Sequence, residues 1–201
     1  MTRLRIVSFD LSLRATGYCH IDGSTGVLVC RARGPERLAW IRDEVLGLVF
    51  EDKPHAVVIE GYSYASRGAS VVDIGELGGV VRVALYEACL PVVEIPPACL
   101  KRFAVGKGNA SKDDVLQAGV IRAGHTFADN NACDAWWLWN MALAHYEPDL
   151  AVRVPTANLE GLAKVAWPDL LPGPLSGSAG RATLGAMPAG PPQVRKVEKV
   201  D

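Results

Sequence analysis

The chain has 201 residues, 49% of them hydrophobic and 21% charged, and a formal net charge of −1. That composition describes a globular protein with one sizeable core and excludes a wholly disordered chain. No apolar stretch reaches the roughly 18 residues needed to span a bilayer, and the first residues carry no secretory pattern, so no membrane partner and a cytoplasmic location are expected.

Arg5 to Phe9 is a β-rich run that stops on Asp10. Thr16 to Ile21 and Gly26 to Arg31 are further strands joined by the turn sequence IDGSTG, so three antiparallel strands open the chain. Pro35 suits the first turn of a helix whose Leu38, Ile41, Val45, Leu48 and Val49 share one face. HAVVIE follows as a short apolar strand ending at Glu60. Val71 to Leu90 has helical spacing interrupted by GELGG, where glycine lowers helix propensity but permits close approach of another backbone. PVVEIPP is a fifth strand stopped by prolines.

The segment ASKDDVLQAGVIRAG predicts a helix with Ser111 as N-cap, Asp114 three residues on, and Gly124 as its end. NNACDAWWLWNMALAHYEP is a last strong helix, ended by Pro148, whose Trp136, Trp137 and Trp139 are expected in the core. Residues 1–150 therefore read as one α/β domain, with a short docked helix expected within 151–170. Residues 171–201, rich in Gly, Pro, Ser and Ala, cannot offset their ordering entropy and are expected to be flexible. Cys19, Cys30, Cys89, Cys99 and Cys133 are scattered without a CxxC pair, which argues against a disulfide framework and a zinc site.

Two strands end on acids, Asp10 and Glu60, and a third acid, Asp134, opens the last helix. Each alone is an ordinary cap or turn residue. If the two strands are parallel neighbours, their carboxyl ends lie side by side at the edge where open α/β sheets bind ligands. Converging carboxylates repel unless a cation neutralises them, and an all-oxygen set without His or Cys favours Mg²⁺ or Mn²⁺. Between Pro96 and Lys112 the chain carries Lys101, Arg102, Lys107 and Lys112 without an acid, a local basic strip.

FDLSLRATGYCHID, VVIEGYSYASRGASVVDIGELGGVVRVALYE, PPACLKRFAVGKGNASKDDV and DNNACDAWWLWNMA, in this order, resemble the RuvC-type Holliday junction resolvases, particularly phage-encoded members. The likeness covers roughly Arg3 to Glu147. It implies an RNase H-like fold: a mixed five-stranded sheet, three antiparallel strands plus two parallel, flanked by helices. It also implies a homodimer, branched DNA (four-way junctions) as partner, and Mg²⁺-dependent hydrolysis at paired strands. For a phage-encoded member the compartment is the host cytoplasm.

Under that resemblance Asp10, Glu60 and Asp134 are the catalytic metal ligands. The family's fourth ligand, three positions before the last acid, is Asp or His but here is Asn131, with Asp129 as a nearby substitute. Two ions are expected, the second held more weakly, and Mn²⁺ is expected to support activity as well. Lys112 is placed to neutralise charge developing on the phosphate. Arg14, Lys101, Arg102 and Lys107 are expected to contact DNA, and Tyr62, Tyr64 and Arg67 to lie in a loop near the junction centre, where aromatic rings can stack on unpaired bases. Tyr62 packing on the sheet is the competing reading. The glycine-bearing helix after Glu60 is expected either to make the dimer contact or to pack on its own sheet.

Three rivals remain open at this stage. A broader flap or fork nuclease would use the same acids. A catalytically inactive junction-binding module would keep the fold but has no reason to retain clustered charge. An actin-like ATPase begins with a similar strand, acid and turn, but needs a second lobe and a further glycine loop that this chain lacks.

Overall fold

Alternation along the strands decides which side of the sheet each residue serves. The computed structural model describes residues 3–61 and 69–170. Strands β1 (Ile6–Asp10), β2 (Ala15–Cys19) and β3 (Thr25–Val29) form an antiparallel meander. Helix α1 (Gly34–Asp52) then leads to β4 (Ala56–Glu60), and α2 (Ala69–Glu87) to β5 (Val92–Ile95). Helices α3 (Pro97–Val105), α4 (Lys112–Ala123) and α5 (Asn130–Tyr146) follow, with a 3-10 helix at Thr156–Gly161. The sheet order is β3-β2-β1-β4-β5, with β4 parallel to both β1 and β5. The architecture is the expected mixed sheet of three antiparallel and two parallel strands.

Val7 and Phe9 of β1, with Val57 and Ile59 of β4, face the side covered by α1 and α2, where Ile41, Val45, Leu77, Val81 and Leu85 close the layer. Ile6 and Val58 face the other side, beneath α5 and α3. Ser8 shares that side and donates through Oγ to the Ala135 carbonyl of α5 at 2.6 Å. By the same period of two, Asp10 and Glu60 project towards α5 rather than towards α1. The parallel register sets Phe9 beside Ile59, so the two acids are the next pair along.

Helix α5 is apolar almost all round because it is sandwiched between the sheet and helices α3 and α4. Trp136, Trp137 and Trp139 are all buried, as their helical context predicts. Trp137 also donates its indole N–H to the Val115 carbonyl at 3.2 Å, joining α5 to α4. On the sheet side, Gly17 of β2 lies directly under the first turn of α5, where an added Cβ would overlap the Asn131 carbonyl. Among the described residues no helix is long and apolar enough to cross a membrane.

Three points of the sequence reading change in detail. Helix α2 runs continuously through GELGG: among the described residues, no other element comes within 4 Å of a Cβ added at Gly79, so the expected close approach of another backbone is not seen there. Helix α3 went unread because the Pro96–Pro97 doublet resembles a strand stop. Pro97 instead occupies the first turn, and Gly106, at φ 87°, supplies the left-handed C-cap. Within 151–170, where a short docked helix is expected, the chain forms the 3-10 helix Thr156–Gly161. It is anchored by buried Asn158, which donates to the Phe103 carbonyl of α3 at 2.9 Å.

Candidate active site

The pocket at the carboxyl ends of β1 and β4 has a volume of about 470 Å³. Asp10, Glu60 and Asp134 line it together with Asn131, Lys101 and Lys112. Five separate elements, two strands and three helices, contribute these six side chains, and the fold alone unites them. Asp10 is held by β1 and Glu60 by β4. Asp134 and Asn131 come from the first two turns of α5, Lys101 from the pocket-facing side of α3, and Lys112 from the first residue of α4.

Local structure explains why each arrives there. The turn after Asp10 is fixed by Thr16, whose hydroxyl donates to the Ser12 carbonyl at 2.8 Å and accepts from the Ser12 N–H at 3.1 Å. The Ser111–Asp114 capping box starts α4 at Lys112, so that lysine stands at the pocket mouth with its side chain exposed. Asp129 N-caps α5 by accepting from the Ala132 N–H at 2.8 Å. Asn131 donates through Nδ2 to the Ala15 carbonyl, which ties α5 to the start of β2. Ser8 completes the frame from below.

Burial governs the electrostatics. Asp10 is only 7% exposed, and desolvation pushes its carboxyl well above the usual range, reinforced by Glu60 and Asp134. Glu60 is also raised by burial, while the hydrogen bond it shares with Asp10 and the charges of Lys112 and Lys101 pull it back. Asp134 is pushed up to about 7, first by burial and then by Glu60, against the opposing pull of Lys112 and Lys101. All three acids resist ionising together in this pocket, and the two lysines offset that only in part. Just before Asp134, Cys133 is fully buried, and its thiol is pushed up to about 12 chiefly by desolvation.

The donor set fits a hard divalent cation. Three carboxylates and an amide line one pocket without any His or Cys company, and the charged forms of the acids are unfavourable without added positive charge. Among the described residues no three His, Cys, Asp or Glu side chains are drawn around a common point. Asp10 and Glu60 instead act on each other, the charge of Glu60 raising the Asp10 carboxyl, as expected of two acids that share one site.

Other expected residues lie away from the pocket. Arg14 is exposed in the β1–β2 turn, and Lys107 is exposed just past α3. Arg102, next to Lys101 on α3, does not line the pocket and pairs with Glu160 at 3.0 Å. Asp129 does not line the pocket. Tyr62, Tyr64 and Arg67 lie outside the described residues, as does the 171–201 segment. Sequence reading missed Ser8 and the pocket-lining Pro97 and Leu100. The signal for α3 was present in Cys99, Leu100, Phe103 and Ala104, all buried on a helical spacing.

Comparison with known proteins agrees with this geometry. A sequence profile of the family described as crossover junction endodeoxyribonuclease RuvC matches residues 6–135. The RuvC of Xanthobacter autotrophicus is 30% identical over 146 residues, covering 67% of this chain and 86% of the relative. The RuvC of Hyphomonas neptunium is 33% identical over 147 residues, covering 67% and 87%. The Thermus thermophilus RuvC structure matches with a TM-score of 0.56 at 21% identity, over 67% of this chain and 90% of that one. The same protein solved in complex with a Holliday junction substrate matches with a TM-score of 0.56 at 22% identity, over 68% and 90%. With the profile spanning most of the sheet and reaching Asp134, the chain belongs to the RuvC family of crossover junction endodeoxyribonucleases.

Proposed function

We propose that this protein is a metal-dependent endodeoxyribonuclease that resolves four-way DNA junctions by hydrolysing phosphodiester bonds at paired, symmetric positions. The observation that carries this reading is the convergence of Asp10, Glu60 and Asp134 in one pocket with Lys101 and Lys112. Asp10, Glu60 and Asp134 hold divalent metal, Mg²⁺ with Mn²⁺ as a substitute, and the Asn131 side-chain oxygen completes the set. When bound, such an ion polarises the phosphoryl oxygen and lowers the pKa of a coordinated water.

The chain's own residues do the rest. The rigid ends of β1 and β4 hold Asp10 and Glu60 at fixed positions, so no reorganisation is needed as charge develops. Lys112, exposed at the pocket mouth, meets the scissile phosphate and offsets its growing negative charge. Lys101 fixes the adjoining phosphate. The products are a 5′-phosphate and a 3′-hydroxyl, with no covalent enzyme intermediate.

A junction presents two equivalent strands, and a two-fold enzyme cuts them from symmetric sites. Helix α2 supports that assembly: Val72, Val83 and Tyr86 are exposed on it, and a groove of about 890 Å³ is lined by residues of α2 and α1.

The test offers a mobile four-way junction, a flap, a fork and linear duplex side by side with Mg²⁺ and with Mn²⁺. Paired symmetric nicks in the junction alone are expected, and Asp10→Asn should abolish cutting while junction binding persists. Equal cutting of flaps and forks would replace the junction reading with a general branched-DNA nuclease. Unchanged cutting by Asp10→Asn would remove the metal site.

A further inference from the structure

Three exposed arginines form a row at the same end of the sheet as the pocket. From Asp10 the chain turns through Ser12 to Arg14, which lies exposed between β1 and β2. The Arg14 carbonyl accepts from the Cys30 N–H at 3.1 Å, so the loop after β3 is fastened beside that turn. Along this loop Cys30 is buried and Ala32 half-buried, whereas Arg31 and Arg33 are exposed, an alternation that sends both guanidinium groups outwards. Arg37 braces the loop by donating through Nε to the Ala32 carbonyl at 2.7 Å. Among the described residues none of Arg14, Arg31 and Arg33 makes an ion pair.

This concentration of charge is unfavourable for the protein alone. Arg33 occupies the N-cap of α1 and makes no capping hydrogen bond. Ser, Thr, Asp or Asn at that position would accept from a free N–H of the first turn and stabilise the helix. A cation there also faces the positive end of the helix dipole. Local rules broken in this way, on a braced loop, mark a surface shaped for a partner and not for stability. The partner must be anionic and extended. Arg14 faces Cys30 across the β2–β3 pair, and Arg33 stands three residues further along an extended segment, about 10 Å at roughly 3.3 Å per residue. That distance matches about three base steps of a DNA strand at 3.4 Å each.

We infer that Arg14, Arg31 and Arg33 form a phosphate-binding track that holds the DNA backbone of the junction arm leading away from the scissile bond. This rests on the junction-cleaving reading above and adds to it a surface outside the pocket. The track supplies affinity and register without reading bases, so its effect is the same for every arm sequence.

The experiment measures binding of a four-way junction in the Asp10→Asn background across a salt series. Arg31→Ala combined with Arg33→Ala should weaken binding roughly tenfold and lower the slope of log affinity against log salt by about two. Arg31→Lys with Arg33→Lys should keep the slope. Arg5→Gln, at the other end of β1, should leave it unchanged. In the cleaving protein, the double alanine variant should lose far more in KM than in kcat. An unchanged salt slope in the double alanine variant overturns the track while leaving the nuclease intact. Failure of the wild-type chain to cut junctions would instead overturn the underlying function.

Discussion

Ser8 and Ala135 meet across the sheet–helix boundary, the serine hydroxyl donating to the alanine carbonyl at 2.6 Å. Ser8 stands two residues before Asp10 on β1, and Ala135 follows Asp134 on α5. One buried hydrogen bond therefore sets the height of α5 over the strand and, with it, the separation of two acids.

Replacing Ser8 with Ala should cost about 1 kcal/mol, the usual net contribution of such a bond, and should shift the urea midpoint accordingly. The metal-dependent cleavage rate should fall several-fold, because Asp134 loses its fixed position relative to Asp10. A normal rate in a measurably destabilised variant would show that the bond serves only the core.

Metal-free stability should fall as pH rises. Asp134 is raised from 3.8 to about 7, and Asp10 and Glu60 are raised as well, so across that window the folded protein holds more protons than the unfolded chain. Stability then declines with increasing pH and is lost by the time the folded-state carboxyls have ionised. Thermal unfolding with a chelator should give a lower Tm at pH 8 than at pH 5. Adding Mg²⁺ should raise Tm more at pH 8, where protons no longer compete for the oxygens. A chelated Tm that is flat from pH 5 to 8 would contradict the burial of these charges.

Asn131→Ala should raise the Mg²⁺ concentration needed for half-maximal cleavage several-fold, because the pocket loses one oxygen donor. An unchanged Mg²⁺ titration would exclude Asn131 from the ligand set and leave its bond to the Ala15 carbonyl as its whole role.

Sedimentation at working concentrations should give a dimer, and Val83→Glu with Tyr86→Glu on the exposed side of α2 should give a monomer. That monomer should lose simultaneous cutting of the two strands before it loses single nicks. A wild-type monomer would end the two-fold reading.

Most of the fold was legible because each strand and helix carries its own periodicity, and the acids fell at element ends where alternation has a clear phase. Ser111, Asp114 and Gly124 bounded α4 as capping chemistry requires. Helix α3 was obscured because a proline doublet has the same local meaning at a strand end and at a helix start. Arg102 could not be separated from Lys101 in sequence, since its partner, Glu160, lies 58 residues away. The same limit applies to Ser8: nothing local marks a small polar residue in an apolar strand as the tie to a helix formed much later in the chain.

Gly17 has no chemistry, yet the space it leaves empty is what lets β2 lie against the first turn of α5. Any side chain there would lift Asn131 and Asp134 away from Asp10 and Glu60, disarming the enzyme without touching an acid. A random screen for inactive variants should therefore recover Gly17 among its hits, while a survey confined to charged residues would pass over it.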